Sequence, residues 1–180
     1  MPEIDLGKYY LRDVCEADYL DLFEVLRHDE VTKYLTYNSL KNPNDALYMI
    51  REFYLKRPTR GMPIGYAIVS KKTEELIGTI EFHTYLSGIN ACEIGFLLHP
   101  NYWHKGIMHK ALGEMINLGF NYLDLDKIIV GCVDINSSSK KLILDMGFNY
   151  EREEYASFEC KNGELRSILY FSMYKYERMM

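Results

Sequence analysis

The segment from Trp103 to Met108 combines features that suit a phosphate site at the start of a helix. It follows an apolar run that ends at Leu98, and a helical pattern begins at Ile107. Free N–H groups at a helix start attract anions. Gly106 lets the backbone approach a phosphate because it has no Cβ, and Lys105 adds a positive charge. The residues alone therefore predict a site for a phosphate-sized anion, and the alternative is a tight turn with a solvated lysine. Neither the Walker pattern nor GxGxxG is present.

Two carboxylates and a histidine in strand-like runs are candidates for proton transfer. Glu93 interrupts an otherwise apolar run over 92–98, and a carboxylate in apolar surroundings is suited to accept a proton. Glu81 and His83 alternate on one face of the preceding strand and are reserve candidates. The alternative for Glu93 is a solvated strand start. For His83 it is a polar residue satisfied on a sheet face.

Hydrophobic periodicity predicts a mixed sheet around these residues. Strand patterns cover 9–12, 64–70, 76–85, 92–98, 127–133, 150–160 and 165–174. Helical patterns cover 16–27, a stretch that follows the cap residue Asn42, 107–122 and 137–146. A strand–helix–strand order requires a parallel crossover, and the Asn162–Gly163 turn indicates an antiparallel hairpin. We therefore expect an α/β fold whose mixed sheet has helices on both faces.

Length, composition and charge describe an ordinary globular protein. The 180 residues are 48% hydrophobic and 26% charged, which fits one domain. The formal charge of −5 argues against a nucleic-acid partner, which usually meets a basic surface. It weakly favours a cationic partner, although acidity also simply aids solubility.

Neither metal-binding nor membrane-spanning patterns are evident. The four cysteines are scattered without a CxxC pair, and His104 and His109 point to different faces of a helix start, so we expect no metal. The first five residues lack the basic and apolar regions of a signal peptide, and no apolar run reaches the ~20 residues of a membrane helix. We expect a cytoplasmic protein without membrane contact, either a monomer or a homodimer.

Two ordered motifs resemble those of the GNAT superfamily of N-acetyltransferases. The first consists of residues 93–96, 98–100 and 103–108, and is similar to the acetyl-coenzyme A motif Arg/Gln-x-x-Gly-x-Gly/Ala. The second consists of residues 133–136, Ser139 and 146–148. The likeness covers nearly the whole chain and is strongest to the branch that acetylates the N-terminal serine or alanine of ribosomal proteins. It implies one acetyltransferase domain over 1–180. The implied sheet has about seven strands, and a splayed parallel pair in it holds the cofactor.

The resemblance also implies a role for each site residue. The backbone of Phe96 and Leu98 pairs with the pantetheine, and the Leu98 N–H polarises the thioester carbonyl. Glu93 serves as general base, directly or through water. Asn136 bonds the pantetheine amide and also caps a helix. The residues expected to surround the pyrophosphate are Trp103, His104, Lys105, Gly106, Ile107 and Met108.

The family's usual proton donor is replaced in this chain. Many relatives use a tyrosine at the position of Ile143, which has no proton to give. We therefore expect Ser139 to protonate the leaving sulfur, and the alternative is a plain serine in the first helical turn. Further departures from the family pattern are His104, Met108, Lys110 and Ser167.

The acceptor is the least defined part of the prediction. We expect acetyl transfer from acetyl-coenzyme A to a primary amine, with a protein N-terminus as one candidate. The alternatives are a small amine, such as a polyamine or aminoglycoside, and a catalytically weak acyl-coenzyme A sensor. Side chains that are candidates to line the acceptor pocket are Tyr34, Tyr37, Tyr85 and Phe158.

Overall fold

The computed structural model describes residues 2–63 and 65–178, apart from the side chains of Arg60 and Arg178. The chain forms two compact units. The amino-terminal unit consists of Met1–Glu81 and Phe96–Ala111, and the carboxyl-terminal unit consists of Phe82–Gly95 and Leu112–Met180.

Eight strands form a mixed sheet in the order β1-β2-β3-β4-β5-β6-β8-β7. Their bounds are β1 Ile4–Asp5, β2 Tyr9–Asp13, β3 Tyr66–Ser70, β4 Leu76–Leu86, β5 Ala91–Leu98, β6 Lys127–Val133, β7 Asn149–Glu159 and β8 Leu165–Tyr174. The predicted count of about seven is corrected by β1, which pairs antiparallel with β2. Two residues are too few to display an alternating pattern. Ile64, the predicted start of β3, lies outside the described residues.

The described residues form five α-helices beside the sheet: α1 Tyr19–Leu26, α2 Asp29–Thr32, α3 Pro43–Met49, α4 Ile107–Asn121 and α5 Ser137–Asp145. The predicted cap of α3 is confirmed, because the Asn42 side chain accepts a hydrogen bond from the Asn44 N–H at 2.9 Å. After α3 the chain continues as a π-helical turn, Ile50–Tyr54. The short α2 was not predicted.

The core of the amino-terminal unit is formed by α1, the segment 46–54 and β3. Leu22 and Leu26 of α1 are fully buried with Ile50 and Val69. Each such side chain contributes roughly 1.5–3 kcal/mol relative to full exposure. This packing holds the segment 46–54 against the sheet, and that segment delivers Tyr54 to the interior.

In the carboxyl-terminal unit, β6 pairs parallel with β5 and antiparallel with β8. Helix α4 lies close above β6: a Cβ at Gly119 would be 2.8 Å from Ile128 Cδ1 and 3.0 Å from Phe82 Cζ. The predicted β7–β8 hairpin is confirmed, with Gly163 in the left-handed region at its turn. Within the described part of the chain, no helix is long and apolar enough to span a membrane.

Candidate active site

The loop before α4 has the backbone shape of an anion cradle. His104 and Gly106 have φ angles of 58° and 71°, and α4 begins at the next residue, Ile107. Left-handed residues of this kind bend the chain into a concave turn, and such turns can collect N–H groups into an anion-binding nest. A Cβ at Gly106 would meet nothing within 4 Å, so glycine is needed there for its conformation and not for lack of space. The loop therefore fits a phosphate group.

Trp103 fixes the start of this loop to the end of β5. Its indole Nε1–H donates a 2.7 Å hydrogen bond to the carbonyl oxygen of Leu98. The side chain remains 37% exposed, so one edge of the ring is available to a ligand. The tryptophan therefore connects the strand end and the loop, the two features on which the predicted cofactor site depends.

Lys105 contacts its own loop in this structure. Its Nζ donates to the Asn101 carbonyl oxygen at 2.7 Å and lies 5.1 Å from the centroid of the Tyr102 ring. Those contacts stabilise the loop, and the concave shape comes from the backbone. Ile107 is buried and Met108 is half-buried at the first turn of α4.

The backbone of β5 presents two sets of N–H groups. The His99 N–H donates to the Ile77 carbonyl oxygen at 2.8 Å, which directs the odd-numbered N–H groups of this stretch towards β4. The N–H groups of Phe96 and Leu98 therefore face the opposite edge of β5. In the carboxyl-terminal unit, the parallel register of β5 with β6 ends at Glu93–Ile129.

Glu93 lies beside a histidine within the carboxyl-terminal unit. Its side chain is 18% exposed, and its Oε2 is 3.4 Å from Nδ1 of His83, which is 39% exposed. The same ring nitrogen is 2.9 Å from the Thr84 hydroxyl oxygen. A carboxylate next to an imidazole that reaches solvent can exchange a proton with water through that ring.

Glu81 was predicted only as a reserve candidate for proton transfer. Its surroundings shift its pKa more than the sequence indicated. Burial raises the pKa of Glu81 to about 7, although the Arg57 guanidinium and the Thr79 hydroxyl act in the opposite direction. Nη2 of Arg57 is 3.5 Å from Oε1 of this carboxylate. The buried Oε2 atom has no hydrogen-bond partner. Carboxyl groups with such pKa values are concentrated at functional sites.

Asn136 and Ser139 meet at the start of α5. The Asn136 Oδ1 accepts a hydrogen bond from the Ser139 N–H at 3.2 Å, which confirms the helix cap. The Asn136 NH₂ group is not used by this cap, so it can donate elsewhere. Ser139 is half-buried, whereas Ile143 is fully buried in the helix face behind it.

The four aromatic residues proposed for the acceptor pocket differ in burial. Phe158 is only 5% exposed and belongs to the core of the carboxyl-terminal unit, and Tyr85 is 47% exposed. Tyr34 and Tyr37 lie in the amino-terminal unit, where both are half-buried. Across residues 2–63 and 65–178, no three histidine, cysteine or carboxylate side chains are grouped to hold a metal ion.

Comparison with known proteins decides the family. Residues 8–149 match the family model described as Acetyltransferase (GNAT) domain. The chain belongs to the GNAT acetyltransferase family. It is 30% identical over 170 residues to the uncharacterized N-acetyltransferase YoaA of Bacillus subtilis, covering 94% of this chain and 89% of that relative. The protein is therefore a GNAT N-acetyltransferase.

Solved GNAT structures share the fold at low identity. The ribosomal-protein-S5-alanine acetyltransferase of Vibrio fischeri has a TM-score of 0.86 at 18% identity, covering 97% of both chains. A ribosomal L7/L12 alpha-N-protein acetyltransferase in complex with coenzyme A has a TM-score of 0.85 at 18% identity, covering 96% of this chain and 98% of that one. At this identity the GNAT fold is what these structures share with the chain.

Proposed function

We propose that this GNAT enzyme transfers the acetyl group of acetyl-coenzyme A to a primary amine by direct attack in a ternary complex. The observation that carries the proposal is the loop 103–108. Its left-handed His104 and Gly106, and its attachment through the Trp103 indole, support a pyrophosphate-binding role. Anion binding at a helix start needs N–H groups rather than a particular side chain. The substitutions at His104 and Met108 are therefore compatible with this role.

Acetyl-coenzyme A supplies the activated acetyl group, and the protein's groups hold and polarise it. We assign pantetheine pairing to the outward-facing N–H groups of Phe96 and Leu98, and carbonyl polarisation to the Leu98 N–H. The helix cap uses Oδ1 of Asn136 and not its NH₂ group, which supports the assignment of that group to the pantetheine amide. Ser139, a half-buried residue, protonates the thiolate in this scheme.

Glu93 is assigned the role of general base. Its low exposure and its contact with His83 support proton transfer from the amine to solvent. Loss of the amine proton is needed because the lone pair on nitrogen must attack the thioester carbon. Residues 1–180 act as one catalytic domain in this proposal, and the match over 8–149, which includes parts of both units, supports it.

A protein N-terminus is the acceptor that we favour. The support is the structural likeness to proteins described as ribosomal-protein acetyltransferases, together with the sequence motifs. A cytoplasmic location would give access to such acceptors. Release of free thiol, measured against N-terminal serine and alanine peptides, polyamines and an aminoglycoside, separates this acceptor from the alternatives. Activity only with small amines would contradict the peptide proposal, and binding without thiol release would indicate a sensor.

Acetyl-coenzyme A is expected to stabilise the protein against heat. Ligand at ~100 times its dissociation constant adds about 2.7 kcal/mol to the free energy of unfolding when it binds only the folded state. Differential scanning fluorimetry with increasing acetyl-coenzyme A measures this shift, and dephosphocoenzyme A serves as a comparison ligand. An unchanged melting temperature at millimolar acetyl-coenzyme A would contradict the proposed cosubstrate.

Trp103→Phe is expected to weaken acetyl-coenzyme A binding about three- to tenfold, the effect of losing one neutral hydrogen bond. The reason is the loss of the Nε1–Leu98 bond that holds the loop to β5. Isothermal titration calorimetry measures the affinity. Trp103 is the only tryptophan in the sequence, so its fluorescence in the wild-type protein independently reports ligand binding at this loop. An unchanged affinity would show that the indole bond does not shape the cradle.

A further inference from the structure

Glu81, on β4 in the amino-terminal unit, is a carboxylate with one unsatisfied oxygen. The side chain is 14% exposed, and the buried Oε2 atom accepts no hydrogen bond. Leaving a buried acceptor unpaired costs roughly 1–3 kcal/mol, and more for a charged group. A ligand that donates a hydrogen bond or a proton to Oε2 would remove this cost. None of the described residues donates a hydrogen bond to Oε2, so the site suits an outside donor.

The walls around Glu81 come from the π-helical turn and from β4. The Leu55 N–H bonds to the Ile50 carbonyl oxygen at 2.9 Å, the five-residue step of this turn, and such turns frequently occur at functional sites. The turn buries Tyr54, whose hydroxyl is 3.0 Å from the Thr79 hydroxyl. A Cβ on Gly65 would be 2.8 Å from the Tyr54 ring and 3.0 Å from Glu81 Cβ, so glycine allows this arrangement.

The charged group nearest to the carboxylate contacts its other oxygen, Oε1. Arg57 approaches Oε1 from the side at 3.5 Å, while its Nε donates to the Phe53 carbonyl oxygen at 2.7 Å. Its guanidinium also lies 5.2 Å from the centroid of the Tyr54 ring, so it is held by its own turn. Burial and the Glu81 charge raise the pKa of both Tyr37 and Tyr54, and these phenols stay protonated at neutral pH. Among the described residues, the groups that act on Glu81 or respond to its charge are the Arg57 cation, two neutral phenols and the Thr79 hydroxyl.

We propose that Glu81 binds the ammonium group of the acceptor through Oε2 and takes its first proton. This inference rests on the proposed acetyl transfer and assigns the acceptor's point of attachment. R–NH₃⁺ gives one proton to the carboxylate and becomes R–NH₂. The N–C bond then forms, the C–S bond breaks, a second nitrogen proton leaves to solvent, and the thiolate gains one proton. The net products from R–NH₃⁺ and acetyl-coenzyme A are one amide, one thiol and one proton, which is released to water. Carboxyls with pKa values near neutrality suit this exchange.

The test compares binding and pH dependence in the full chain with Glu81→Gln. Calorimetry of the coenzyme A complex, which has no acetyl group to transfer, uses ethylammonium and L-alaninamide as probes, with propanol as the uncharged control. We expect acetyl-coenzyme A affinity to stay unchanged and amine affinity to fall about tenfold or more, as for a lost charge-assisted bond. In the wild type, kcat/KM for the amine should rise as pH increases through about 7, because the carboxylate form is the active one. In Glu81→Gln this rise should disappear, and Glu81→Asp should partly restore it.

A matched control is Glu52→Gln, which removes a partly exposed carboxylate paired with Lys56 in the same unit. It should leave amine affinity and the pH profile unchanged. The proposal is overturned if Glu81→Gln keeps both the amine affinity and the rise near pH 7, or if neither amine binds the wild-type complex. Failure of wild-type protein to bind acetyl-coenzyme A would instead remove the proposed function, and this inference with it. Circular dichroism of both variants excludes unfolding as the cause.

Discussion

Glu93→Gln is expected to lower kcat by about 100-fold or more, since general-base catalysis contributes typically 10²–10⁴-fold. Glutamine has the shape of glutamate and keeps a hydrogen-bonding oxygen, but it does not take up a proton at neutral pH. The proton that leaves the nitrogen as the N–C bond forms would then pass only to water, and attack on the thioester would slow. Single-turnover release of thiol from preformed enzyme–acetyl-coenzyme A complex measures the chemical step directly.

The affinity for acetyl-coenzyme A should not change in this variant, because the proposed cofactor contacts come from the loop 103–108, Asn136 and the backbone of β5. Glu159→Gln is the matched control, since Glu159 is an exposed carboxylate on β7 in the same unit. Its kcat should equal that of the wild type. If kcat is unchanged in Glu93→Gln, then Glu93 is not the general base. Its contact with His83 would then have a structural role only.

Elements with a long, regular pattern could be predicted from the sequence. The predicted range 127–133 matches β6 residue for residue, and α4 ends one residue before its predicted limit. In α4 the apolar residues repeat at a helical period, and in β6 they form a nearly continuous run, so the burial pattern is already present in the sequence. By contrast, β1 has two residues and α2 has four, and neither is long enough to show a period. These short elements form only because neighbouring segments pair with them or pack on them.

The candidate site also has a part that could be predicted from the sequence and a part that could not. The cradle could be predicted because Gly106 and the start of α4 are adjacent in the chain. The importance of Glu81 could not, because its burial depends on Tyr54 and Arg57, more than 20 positions away in the sequence. His83 was grouped with Glu81 by strand alternation, whereas the structure brings it to Glu93. Strand alternation predicts on which face of the sheet a side chain lies. How deeply that side chain is buried depends on segments that are distant in the sequence.

Gly78→Ala is expected to destabilise the protein by about 3 kcal/mol, at the upper end for overpacking a tight site. A Cβ there would be 2.4 Å from the Leu97 carbonyl oxygen and 3.0 Å from the Leu98 Cα, both backbone atoms. Backbone cannot rotate out of the way as a side chain can, so β4 or the end of β5 has to move. For a chain of this size the change lowers the melting temperature by about 6–12 °C, measured by calorimetry.

The same substitution should also weaken acetyl-coenzyme A binding, because the displaced residue is Leu98. Its carbonyl oxygen holds Trp103 at 2.7 Å, and its N–H is proposed to polarise the thioester. Gly88→Ala is the control: no atom lies within 4 Å of its Cβ position, so its stability should change by less than about 0.5 kcal/mol. If Gly78→Ala binds acetyl-coenzyme A as the wild type does while melting lower, then Leu98 tolerates displacement and is not the polarising group. If the two losses occur together, the close approach of β4 to β5 at Gly78 sets both the stability of the strand end and the position of the group that activates the cosubstrate.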